Sequence, residues 1–131
     1  MPNVVDIVTT GALFRLGGAP LDAAIKSSIV DIVARGEELV KRQLYHGHGL
    51  VTGHYRRSIF GVLQDSRHGL IHDSNVIYGP WLEGTSSRNE TTRFKGYSMF
   101  RRATQQLNRE KGNIVEKNVA SAVRKLNGAW W

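Results

Sequence analysis

The chain contains no cysteine. That absence excludes a disulfide scaffold, thiolate metal sites and a cysteine nucleophile, and it fits a reducing cytosol or a particle assembled there. Long apolar runs are missing as well: nowhere do about 18 apolar residues follow one another, which argues against a membrane span. The opening "MPNVVDIVTTG" lacks the basic start and continuous apolar stretch of a secretory signal. No internal repeat or low-complexity tract is present. Acidic residues are few, with 11 Asp and Glu against 18 Lys and Arg, a formal net charge of +7. Such a surplus favours polyanionic partners and steers them from a distance. A plain solvated basic surface is the simpler alternative.

What is present is enough for one domain. At 131 residues and 40% apolar, the chain can bury a core and is not expected to be disordered. Val4 to Thr9, "VVDIVT", reads as a short strand because β-branched residues dominate it. Pro20 is well placed to open a helix, where its missing N–H costs nothing, and Asp22 suits the positive end of the helix dipole. Leu21, Ile25, Ile29, Ile32, Leu39, Val40 and Leu44 recur at helical spacing, predicting an amphipathic helix over about 20–44. Gly36 should cost it about 1 kcal/mol relative to alanine, unless close packing requires it. "YHGHGLVTGHY" breaks the helix. Ser58 to Gln64 and Leu70 to Tyr78 read as an antiparallel pair around "DSRHG", the second kinked at "DSN". A mobile loop follows over 84–97. Ser98 is placed to cap a second helix beginning at Met99, with Phe100, Ala103, Leu107, Ile114, Val115, Val119, Ala122 and Leu126 as its apolar stripe. Gly112 is a candidate kink and Gly128 a stop. The order β–α–β–β–loop–α predicts an α+β fold, a small antiparallel sheet packed against two long helices. Residues 129–131 form a short tail.

Chemistry is thin in this sequence. His46, His48 and His54 lie close together, but their spacing matches no helical metal pair and no cysteine or carboxylate completes a set. Ser58, Ser66, Ser74 and Ser98 sit in no nucleophile-elbow context, and "GTSSRNETTRFKG" is not a phosphate-binding loop. Glu83 has no nearby carboxylate partner for acid–base work. The expectation is no catalytic residue, no metal and no cofactor. Basic residues are the stronger signal. Arg56, Arg57, Arg88, Arg93, Lys95, Arg101 and Arg102 can form a cationic surface, with Trp81, Phe94 and Tyr97 available to stack. No groove-reading or RNA-binding signature accompanies them, so any contact with nucleic acid is expected through backbone charge. Trp81 in "GPWLEG", and Trp130 and Trp131 at the end of the chain, suit interface anchors or back-packing on the same subunit.

"TGHYRRSI" (Thr52–Ile59), a hairpin, and then "VIYGPWLEGTSSRNETTRFKGYSMFRRA" together resemble the tail-completion or head–tail joining proteins of long-tailed bacteriophages, also catalogued as neck or minor tail proteins. Thr52, Gly53, Arg56, Ser58, Tyr78, Gly79, Pro80, Glu83, Gly84, Phe100 and Ala103 fall on the family pattern, and "TTGALFRLGGAPLDAAI" extends the likeness towards the N-terminus. The resemblance implies a virion structural protein without enzymatic activity, forming a ring of six at the head–tail junction after assembly in the host cytoplasm. The ring would join the head connector to the tail tube or its terminator and pass the genome through its lumen without sequence preference. Trp81, Leu82, Glu83, Arg88, Arg93, Phe94, Trp130 and Trp131 would then meet neighbouring subunits or rings. Arg56, Arg57, Lys95, Arg101 and Arg102 are the candidates for the DNA channel. Completion and terminator layers stay open, and a non-specific DNA-binding protein is the alternative from composition alone.

Overall fold

In a computed structural model of the protein, residues 3–8, 19–43 and 53–128 are described. Within them the chain runs β1 (Val4–Val8), α1 (Ala19–Gln43), α2 (Gly53–Arg57), β2 (Phe60–Asp65), β3 (His68–His72), α3 (Gly79–Glu83), α4 (Ser87–Thr91) and α5 (Met99–Gly128). The fold is α+β: a three-stranded antiparallel sheet packed against the long helices α1 and α5, with a loop between the last strand and the C-terminal helix. Strand β3 lies in the middle, with Val5 opposite Ile71 on one side and Gly61 opposite Ile71 on the other. A bulge between Leu63 and Asp65 tightens the turn into β3.

Alternation along the strands decides which face α1 covers. Val5, Ile71 and Gly69 point towards it, and the core gathers around them from Ile25, Ile29, Ile32, Val33, Leu39 and Val40. Glycines let the layers approach. A Cβ at Gly61 or Gly69 would strike the Val33 side chain, and one at Gly36 would strike Ile71 Cδ1 and crowd Leu107. The cost expected for Gly36 in a helix therefore has its reason in close packing. Each buried Ile or Leu in this layer contributes about 1.5–3 kcal/mol. Across the helices, Arg35 pairs with Glu110 at 2.9 Å, an exchange that raises the guanidinium's pKa and lowers the carboxylate's. Both side chains keep access to water, so solvent screening leaves the pair a small contribution to stability.

Several boundaries differ from the sequence expectation. Strand β2 begins at Phe60 rather than Ser58, because Gly53–Arg57 forms a helical turn that Ser58 closes by donating from Oγ to His54 O (2.9 Å). Strand β3 stops at His72 instead of continuing to Tyr78. Asp73 turns inward to a buried polar cluster, and Ser74 and Asn75 take left-handed φ values of 60° and 57°. Helix α5 is unbroken at Gly112. Its first turns are anchored by Met99, Phe100, Ala103 and Leu107, whereas Ile114, Val115 and Val119 are half-buried.

Candidate functional site

The segment from Asp73 to Arg102 is held by three buried polar side chains. Asp73 is the first. Its Oδ2 accepts from Tyr55 OH at 2.8 Å and Asn3 Nδ2 at 3.2 Å, and its Oδ1 accepts from Asn75 N at 3.2 Å. Burial pushes the Tyr55 hydroxyl far above its ordinary pKa, so it serves as a fixed donor. A Cβ at residue 79 would collide with the same Asp73 oxygen, which is why Gly79 starts α3 there.

Glu83 is the second. It is 6% exposed, and its two oxygens accept from Phe100 N (2.8 Å) and Arg101 N (3.2 Å), capping the N-terminus of α5 from outside the helix. Burial raises its pKa while those two amides oppose the rise. Ser98, expected to be the cap, instead sits at φ 52° with its hydroxyl beside Arg101 Nη2. The capping residue lies more than a dozen positions upstream, where no local motif announces it.

Asn89 is the third. Its Oδ1 accepts from Ser86 N (3.0 Å), and its Nδ2 donates to Trp81 O and Phe94 O, both at 3.1 Å. With Ser86 Oγ accepting from Arg88 N, this closes a capping box on α4. The expected mobile loop thus contains a helical turn and is laced internally. Its stem is pinned where Gly84 (φ 105°) and Gly96 (φ 92°) cross; a Cβ on Gly96 would strike the Gly84 backbone, and one on Gly84 would strike Lys95 O. Tyr97 N to Leu82 O (2.7 Å) and Ser98 N to Glu83 O (3.1 Å) complete the clamp. Above it, Trp81, Phe94 and Tyr97 form a row with ring centroids 4.9 and 5.0 Å apart. Arg88, Arg93 and Lys95 are exposed on this platform, and Lys95 Nζ also donates to Asn89 O at 2.8 Å.

The structure therefore sorts the residues expected to meet partners. Trp81, Phe94, Arg88 and Arg93 gather on the clamped loop. Glu83 and Leu82 do not belong with them: Glu83 is consumed by the cap and Leu82 packs against the core. Arg57, Arg101 and Arg102 are exposed, whereas Arg56 is half-buried. Trp130, Trp131, His46 and His48 lie outside the described residues. His54 is exposed beside Tyr78, and among the described residues no group of three or more potential metal ligands occurs.

No family model, curated protein or solved structure matches the chain. Two further surfaces are therefore judged on geometry alone. A groove of about 660 Å³ between β1, α1 and α5 is lined mainly by Val5, Ile7, Ile25, Ile29, Leu107 and Val115, and it offers packing area rather than converging polar groups. The sheet face turned away from α1 carries Val4, Val8, Phe60, Val62 and Leu70, with Phe60 at 48% and Val8 at 52% exposure. Among the described residues, no helix is long and apolar enough to cross a membrane.

Proposed function

We propose that this protein is a structural subunit of the neck of a long-tailed phage. Copies of it would form a ring, of six by family resemblance, that joins the head connector to the tail tube and lets the genome pass. The observation that carries the reading is the apolar sheet face. Val4, Val8, Phe60 and Val62 stand, with Asp6, His68 and His72 among them, on the side of the sheet that no helix of the described residues covers. Exposed apolar area of this kind marks an association surface, and closed rings cover such faces on every subunit. The clamped loop supports the same reading. It presents aromatic and cationic side chains on a braced stem, as a contact to a neighbouring subunit or ring requires.

The resemblance in motif order adds the location, in the virion at the head–tail junction, and leaves the completion and terminator layers as variants of one role. Electron microscopy of a lysate from phage lacking the gene tests it. Filled heads beside separate tails are expected, with overlong tails assigning the terminator layer. Intact infectious particles, or empty heads alone, would overturn the proposal.

A further inference from the structure

Helix α5 holds most of the molecule's charge imbalance. It carries seven basic against two acidic residues, net +5, whereas α1 carries four of each. The imbalance is organised along one side. Stepping 100° per residue, Phe100, Leu107 and Asn118 share the direction that packs on α1, and Arg102, Arg109, Lys117 and Arg124 fall within an arc of about 80° centred about 140° away from it. All four are exposed. They are separated by seven, eight and seven residues, so the stripe extends about 33 Å at 1.5 Å per residue.

None of the four forms an ion pair among the described residues, although all eleven acidic side chains of the chain lie within them. The carboxylate best placed to intervene, Glu110, is occupied by Arg35 and Gln106. Arg109 leans on Gln106 at 3.0 Å, which leaves its charge uncompensated. Glu116 is the one exposed acid on the flank of the stripe.

We infer that the outer side of α5, through Arg102, Arg109, Lys117 and Arg124, is a binding surface for the phosphate backbone of double-stranded DNA. The charge pattern favours a duplex over an acidic protein. A duplex presents a negative charge about every 1.7 Å of its axis, so cations about 11 Å apart meet phosphate in any register. An acidic protein face would need carboxylates repeated at that same interval. No aromatic side chain lies on the stripe, and contact limited to backbone charge carries no sequence information. The inference deepens the neck reading by naming the face that meets the genome, and it rests on that reading only for the presence of DNA.

The test is fluorescence anisotropy with the full chain and mixed-sequence duplexes longer than the stripe, titrated with salt. Four phosphate contacts predict a slope of log K against log salt of about −3.6, and each single change Arg102→Gln, Arg109→Gln, Lys117→Gln or Arg124→Gln should reduce it by about 0.9. The fourfold variant should be flat at unchanged helicity; if it fails to fold, the single variants decide. Arg88→Gln combined with Arg93→Gln, on the loop, should leave the slope unaltered. Full slope in the stripe variants, absence of binding at low salt, or poly-glutamate competing as well as duplex would each overturn the inference. Microscopy of the gene-deleted phage reads the neck role separately, so failure of one is not failure of the other.

Discussion

Two glycines in long helices answer to opposite constraints. Gly36 has no room for a Cβ beside Ile71, whereas Gly112 has nothing within 4 Å of that position. Gly112→Ala should therefore stabilise the protein by about 1 kcal/mol through helix propensity alone. Gly36→Ala should destabilise it by about 1–2 kcal/mol, because overpacking outweighs the same propensity gain. Chemical denaturation of the two variants checks both signs. Glu83 makes a pH-dependent case. Its carboxyl pKa is raised by burial, so the folded state takes up the proton more readily than the unfolded chain. The contribution is fully present below the ordinary glutamate range and is lost as pH rises through the raised folded value. The Tm of wild type minus that of Glu83→Gln should accordingly grow as pH falls from 7 towards 4; a constant difference would contradict the raised pKa. Asp65 behaves oppositely, its pKa lowered by Arg67 N and His68, so its contribution fades on acidification.

At the level of elements, the long pieces were legible in the sequence and the short ones were not. Helix α1 announces itself because Ile25, Ile29, Ile32 and Val40 repeat the helical period and all are buried. Helices α2, α3 and α4 are single turns, too short for any period, and are tied in by buried polar groups: Tyr55 of α2 donates to Asp73, Glu83 at the end of α3 caps α5, and Asn89 of α4 donates to Trp81 O and Phe94 O. Glu83 was legible as a notable residue and not as a cap, since the amides that donate to it lie on a helix that begins beyond the loop. The basic and aromatic character of 81–95 was equally plain, but not the brace beneath it. Asn89→Ala removes that brace: Ser86 N and Trp81 O lose their bonds to the Asn89 side chain, and Phe94 O keeps only Thr92 Oγ1. Trypsin should then cut after Arg88 and Arg93 much faster, with the global Tm nearly unchanged; equal cleavage rates would place the loop's order elsewhere. Deletion of residues 86–95 spares the Leu82–Tyr97 and Glu83–Ser98 bonds, so the protein should fold, as circular dichroism would show. Under the neck reading it should fail to complement phage lacking the gene.

For the whole molecule, helices among the described residues cover one sheet face and leave the other open, and that asymmetry makes a prediction about assembly. Phe60→Glu or Val62→Glu places charge on the bare face without entering the core. Melting should change by no more than about 0.5 kcal/mol, the usual range for exposed positions. Oligomers seen by analytical ultracentrifugation, or joined particles in complementation, should be lost. Retained assembly would move the contact off the sheet. Helix α5 combines a buried side that closes the core with an outer side rich in charge, so core packing and the inferred DNA contact would share one rigid body.

The crossing of Gly84 and Gly96 has a wider consequence. Because the two backbone positions touch, the residues between them begin and end at the same point in space, and whatever replaces them does not shift the register of α5. The loop is in effect an exchangeable cassette: new contacts can be built there by lengthening or rewriting it, and a peptide tag grafted between those glycines should be displayed on an otherwise unaltered protein.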